Sequence, residues 1–211
     1  MAIRGINTAV EVQATLGSAL TISAITKASP GVATSNAHGL ANGDVVVLAV
    51  QGMAELDGLA VRVANVATNT FELEGVDTTD YGTFTSGTAT EVATWNTFAS
   101  LQSISLPNQE ANKLDITTIH DTQAQETLGI AGAVSGTMTG LFAPTETAVI
   151  NLRNATRNTD PRAFRITFEN GIKAVFNADV SAGQGFDLQQ NSVATASYSL
   201  TIKRFINFYA S

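Results

Sequence analysis

Apolar and polar positions alternate along much of this chain, and the alternation marks strands. In TFELEGV, Phe71 and Leu73 fall on one side while Glu72 and Glu74 fall on the other, the two-residue period of a half-buried strand. Phe164, Ile166 and Phe168 alternate with Arg165, Thr167 and Glu169. Asn170-Gly171 follows and signals a two-residue type I′ turn. The return strand places Ile172, Ala174, Phe176 and Ala178 on one face, and a later strand does the same with Tyr198, Leu200 and Ile202. Near the start, AVEVQATL puts Val10, Val12 and Ala14 together, and VVVLAV is an unbroken apolar run suited to a buried strand. One stretch has another period. Ala148, Val149, Leu152 and Ala155 share a helical face, with Arg153, Asn154, Arg157 and Asn158 turned away. The spacing predicts a helix from about Thr145, capped by that threonine after Pro144, with Glu146 complementing the helix dipole, ending before Pro161.

Turn signals recur about every ten residues between 18 and 93, the rhythm of a small all-β module. Residues 1–17 and 94–211 form a second unit, split by that insertion. In it, TWNTFASLQSISLP reads as one long strand stopped by Pro107, with Trp95 expected in the core, and KLDITTIHD reads as another strand. Asp121 to Ala133 reads as a long loop carrying Gly129 and Gly132, and loops of that length are usually functional. The expected fold class is therefore mainly β: a β-sandwich or partly open barrel with one flanking α-helix, plus a small inserted all-β module.

Charge sharpens the division. The net charge is -7. Residues 18–93 hold Lys27 and Arg62 against eight carboxylates, a net -6, whereas the rest of the chain carries -1. An acidic chain without a basic face is a poor nucleic-acid binder. Cysteine is absent, which excludes disulfides and thiolate chemistry. No apolar run reaches the roughly 18 residues that span a bilayer, and MAIRGINTAVEVQ lacks the apolar segment of a signal peptide.

Catalytic chemistry finds little support. His38 and His120 lie in different units, and consecutive His120-Asp121-Thr122 side chains on a strand point to opposite faces. Asp115 and Asp121 lack the dense D-x-D-x-D pattern of a calcium loop. Gly183-Gln184-Gly185 is too short a signal for a phosphate loop and reads as a bend. Arg153, Arg157, Arg162, Arg165 and Lys203-Arg204 have no interleaved aromatics and read as a solvated or intersubunit face. No enzyme activity, cofactor or metal is expected.

The order of elements after Leu114, with KLDITTIHDT, the glycine-bearing loop, AVSGTMTGLF, one helix, the Asn-Gly hairpin and a C-terminal strand, resembles the tail tube proteins of long-tailed bacteriophages. The resemblance implies homohexameric rings that stack into a hollow tube conducting the DNA genome without specific binding. It also implies tail tip and terminator proteins as partners, and a virion location after synthesis in the host cytoplasm. Residues 18–93, through Ala37-His38-Gly39-Leu40, Gly43-Asp44, Leu56-Asp57-Gly58 and Tyr81-Gly82, resemble the small β-barrel called the first catalytic cysteine half-domain. Nothing in them supports ubiquitin chemistry, so a decoration outside the tube is expected, and with it a non-contractile tail. The candidate ring-to-ring loop comprises Asp121, Gln123, Gln125, Glu126, Gly129 and Gly132. The candidate bore-facing positions are Arg165, Thr167, Glu169, Lys173, Asn177 and Asp179. The rivals are a head–tail connector or tail terminator that stops at one ring, and a carbohydrate-binding adhesion module using Phe71, Tyr81 and Phe84.

Overall fold

The computed structural model describes residue 5, residues 7–183 and residues 185–210; Gln184 of the expected Gly183–Gly185 bend lies outside the described residues. The strands are β1 (Ala9–Ile22), β2 (Ala24–Ile25), β3 (Val32–Thr34), β4 (Val45–Gln51), β5 (Ala60–Ala64), β6 (Thr70–Leu73), β7 (Ser86–Thr97) and β8 (Leu101–Ser105). They continue with β9 (Ala111–Asp115), β10 (Glu126–Ala131) and β11 (Ser135–Leu141). Helix α1 (Thr147–Asn158) precedes β12 (Arg162–Thr167), β13 (Lys173–Ser181), β14 (Thr195–Ile202) and β15 (Asn207–Tyr209). The main sheet has the order β2-β3-β6-β5-β4-β7-β1-β12-β13-β14-β11-β8, with β15 added to β13, and its pairs are antiparallel. The protein is thus mainly β, one large antiparallel sheet with one helix.

Two cores lie along this sheet. The first gathers Val10 and Val12 of β1, Phe164 and Ile166 of β12, Phe176 of β13, Met138 of β11 and Tyr198 and Leu200 of β14. Ala148, Val149, Leu152 and Ala155 of α1 close over it, as the helical stripe predicts. Phe164 and Phe176 are directly paired across the strands, and their rings stack 5.3 Å apart. The second core belongs to residues 22–89 and centres on Leu48, Leu56, Val61, Phe71 and Leu73. The β1–β7 ladder extends from Glu11↔Thr97 to Ile22↔Gly87, with register shifts between Gln13 and Ala19. It therefore passes through residues 17–18 and 93–94, where the sequence placed a boundary, and carries strand structure from one core to the other.

Four local expectations are corrected. TWNTFASLQSISLP is two strands, because Phe98 turns into the first core and the Ala99 and Ser100 N–H groups donate to the Glu146 carboxylate, at 2.6 Å for Ala99. That engagement leaves Glu146, not Thr145, at the helix N-cap, with no side-chain cap. The helix ends at Asn158 because Thr159 adopts a left-handed conformation (φ 56°). The β12–β13 turn is not type I′, which needs positive φ at two residues: Gly171 has it (φ 82°), but Asn170 does not, and the Phe168 N–H donates to the Ile172 carbonyl at 2.9 Å across a wider loop. Finally, β10 occupies part of the expected 121–133 loop, pairing with β9 as a separate two-stranded hairpin.

Replacing Phe176 by alanine removes a fully buried ring at the centre of the first core. It is expected to cost about 3–5 kcal/mol, read from the denaturant midpoint of the soluble subunit.

Candidate functional site

The hairpin β9–β10 is an arm. Its register is Glu126↔Asp115, Thr127↔Leu114 and Leu128↔Lys113, closing at Ala131↔Ala111. Gly129 lets the strands close up, since a Cβ there would lie 3.2 Å from the Asn112 carbonyl and from Leu114 Cδ1. The tip is tied by its own polar groups. Asp121 accepts the Thr118 N–H at 2.7 Å and hydroxyl at 2.9 Å, Asp115 accepts the Thr117 N–H at 2.8 Å, and the Thr117 hydroxyl accepts the Gln125 N–H at 2.9 Å. Thr117 and Thr118 hold the Asp115 and Asp121 carboxyls below the usual range, so both stay ionised. Of the expected loop residues, Asp121, Gln123 and Gln125 lie at this tip, Glu126 and Gly129 lie in β10, and Gly132 anchors the arm root through its N–H to the Glu110 carbonyl. Side chains on the arm that should be buried are not: Ile119 is 95% exposed, Ile130 88% and Leu128 71%. The alternation in β10 is short and carries polar residues on both faces, which is why that stretch reads as a loop, and the strand expected over KLDITTIHD ends at Asp115, where the turn residues Thr117 and Thr118 begin the tip.

The second feature is the sheet face turned away from the first core. Arg165, Thr167, Lys173, Asn177 and Asp179 share it, as the alternation predicts, with Glu169 exposed in the turn beyond. It is not open along its length. Arg165 pairs with Glu11 at 2.7 Å and lies over the Trp95 ring, and Trp95, half-buried, packs against the small core cluster on this face. Asn177 is 3% exposed and its amide donates to the Gly58 carbonyl at 2.9 Å, so it is no part of an open surface. Asp179 pairs with Lys203. Residues 45–74 cover this half of the face, packing Val45 and Ala60 against Ala163, Val175 and Tyr209.

That covering is a clasp. The Tyr209 hydroxyl accepts the Arg62 N–H at 2.9 Å while the Arg62 guanidinium lies 4.6 Å from the Tyr209 ring centre and forks onto Glu74. Asn207 donates to the Ala60 carbonyl at 3.0 Å and Arg204 to the Asp57 carbonyl at 2.8 Å. Residues 57–62 are thus bound to residues 204–209.

Further along, the same face is bare and changes character. Thr137 is flanked by Ser105 and Ser199, and Thr139 by Ser103 and Ser197. These hydroxyls cover β8, β11 and β14 opposite Met138, Ile104 and Tyr198, with no charged side chain in either row. The sheet curls between the two stretches, since β1 and β12, in the middle of the strand order, meet β8 at its end across a groove of about 520 Å³ lined by Val10, Ile166, Leu101 and Ile104.

A model of the family described as phage tail tube protein matches residues 51–211. The chain belongs to the phage tail tube protein family. This tail tube protein is also similar to a solved chain in the tail of an empty gene transfer agent particle, refined with helical C6 symmetry. The two are 15% identical, with a TM-score of 0.44, covering 55% of this chain and 87% of that one. A chain in the virion of the native gene transfer agent particle gives the same identity and score, covering 89% of that chain. No curated protein matches. As a structural virion component the tail tube protein is not an enzyme, and its histidines fit that. The His38 Nδ1 accepts the Leu40 N–H at 3.1 Å and its ring meets Phe71 edge-on, while His120 is exposed at the arm tip. The aromatics considered for glycan binding make no platform, since Phe71 is fully buried and Tyr81 and Phe84 pack against the second core.

Burial pushes the Tyr209 hydroxyl up to about 12, against the opposing pull of the Arg62 hydrogen bond. A folded value above the ordinary 10 means the neutral phenol stabilises the clasp fully below pH 10, and that contribution is lost as pH rises from 10 through 12. Denaturant midpoints of the wild type should therefore fall more steeply between pH 10 and 12 than those of Tyr209→Phe, which should itself be about 1–2 kcal/mol less stable at pH 8.

Proposed function

We propose that this tail tube protein forms homohexameric rings that stack into the hollow tube of a phage tail, through which the genome passes during ejection. The observation that carries the reading is the exposed arm. A two-stranded hairpin is marginal alone in water, and one that leaves three aliphatic side chains more than two-thirds exposed needs another chain to cover it. The end of the main sheet at β8 supports ring formation for a related reason: a free edge is a template for a neighbouring strand, and closing a ring removes it. The arm residues Asp121, Gln123, Gln125, Glu126, Gly129 and Gly132 form the contact between successive rings.

The expected bore positions are revised within this reading. The insertion covers the Asn177 half of the polar face, so a module outside the tube and a bore on that half exclude each other. We assign the bore to the hydroxyl rows Ser103, Ser105, Thr137, Thr139, Ser197 and Ser199. Phosphates passing such a surface meet no cation that would hold them, because retention of DNA scales with the number of Lys and Arg contacts. The acidic module then lies outside, where it leaves no room for a contractile sheath. Tail tip and terminator proteins would meet the two ends of the tube, and the subunit would be made in the host cytoplasm.

Two outcomes test this. Removing residues 112–130 and joining Ala111 to Ala131, which already face each other, should leave subunits with unchanged near-ultraviolet dichroism that no longer form tubes under negative-stain electron microscopy. Normal tubes from that variant would refute the arm's role, and single closed rings from the wild type would assign it to a terminator. Thr137→Lys combined with Ser199→Lys should leave tubes of normal repeat but slow DNA delivery from particles carrying it, more so at low salt. Unchanged delivery would place the bore elsewhere.

A further inference from the structure

The arm needs a seat, and the structure offers one at the opposite end of the same subunit. The arm root is at Gly132, beside the start of β11. At the other end of β11, the Phe142 N–H donates to the Ala194 carbonyl at 2.9 Å, and the loop between β13 and β14 folds over the strand ends. Seven strand residues separate the two places, roughly 20 Å at the usual rise. There Phe142 and Phe186 have ring centres 4.8 Å apart, and Phe186, Leu188 and Val193 are 56%, 67% and 67% exposed, with Leu141 at 37% beside them.

We propose that this far-end patch, Leu141, Phe142, Phe186, Leu188 and Val193, is the acceptor for the arm of a second copy in the adjacent ring. The inference rests on the stacking reading above and adds the receiving surface to it. Three observations choose this occupant. A contact that repeats without closing must join two different surfaces of the same molecule, and among the described residues exposed apolar side chains lie at both ends of β11, the arm with Phe205 and Phe208 near its start and this patch at its far end. The arm is aliphatic on both of its faces, through Leu114 and Leu128, so a patch plus its rim can enclose it. The charges also suit. Asp115 and Asp121 at the tip remain ionised, whereas Arg157 is exposed and has no ion pair among the described residues. The hydroxyl of its neighbour Thr156 accepts the Ala182 N–H at 2.8 Å, which puts the turn of α1 that carries Arg157 at the start of the patch loop.

The absence of cysteine makes the test clean. In full-length tubes of Ile119→Cys combined with Leu188→Cys, a mild oxidant should give a disulfide ladder on non-reducing gels that extends past six subunits, and neither single variant should give it. Tubes of normal repeat without a ladder would overturn the acceptor assignment while leaving stacking intact. Failure of the wild type to make tubes would instead overturn the reading on which it rests. A second variant covers loss of assembly in the first. Leu188→Glu alters an exposed position, so its subunits should fold normally, yet the concentration needed for tubes should rise roughly tenfold or more, as expected for one lost apolar seat per subunit. An unchanged threshold would refute the proposal, including if the patch serves only a different tail protein.

Discussion

The whole arrangement depends on one hydrogen-bonded ladder, the pairing of β1 with β7. Both cores hang from it. At one end Val10 and Val12 enter the body, and at the other Ile22 and Ala89 enter the insertion. Between them the ladder shifts register three times, at Gln13/Thr15, Thr15/Leu16 and Leu16/Ala19. Such irregularities bend and twist a strand pair, so the same two strands can serve sheets that face different ways. Entry and exit of the insertion are thereby paired, and the body sees the same two strand ends whatever lies beyond them.

The clasp decides which of two similar stretches of one polar face stays open. Alternation alone makes Arg165, Thr167 and Lys173 equivalent to Thr137, Thr139 and Ser199: polar residues opposite a buried row. The difference arises from chain separated by more than a hundred residues. The Gly58 carbonyl accepts the Asn177 amide and the Asp57 carbonyl accepts Arg204, while the hydroxyl rows carry no such cover. β13 is accordingly buried on two sides, by Phe176 and Ala178 below and by Val175 and Asn177 above, although its sequence resembles a half-exposed strand.

What could be read beforehand follows from period. β12, β13, β14 and the α1 stripe each carry several apolar residues on one face, and the structure keeps those faces buried. Features set by a single long-range polar contact were not legible. Glu146 looks like a residue that serves its own helix, yet it binds Ala99 and Ser100, and the break between β7 and β8 follows from that. The arm escaped for another reason. Its first strand was legible within KLDITTIHD, but in β10 aliphatic and polar residues share both faces, so no two-residue pattern emerges, and its threonines and aspartates build a tip that resembles an irregular loop.

The pairing of Arg62 with Tyr209 also orders events during synthesis. The two are 147 residues apart, and the second core lies wholly within residues 22–89. The insertion can therefore gather its own interior while most of the body is still on the ribosome, but its seat against the body does not exist until residues 207–209 have emerged and joined β13. Until then Val45 and Ala60 present bare apolar surface. Strand β15 is thus the piece that joins residues 45–62 to β13, through chain distant in sequence from both.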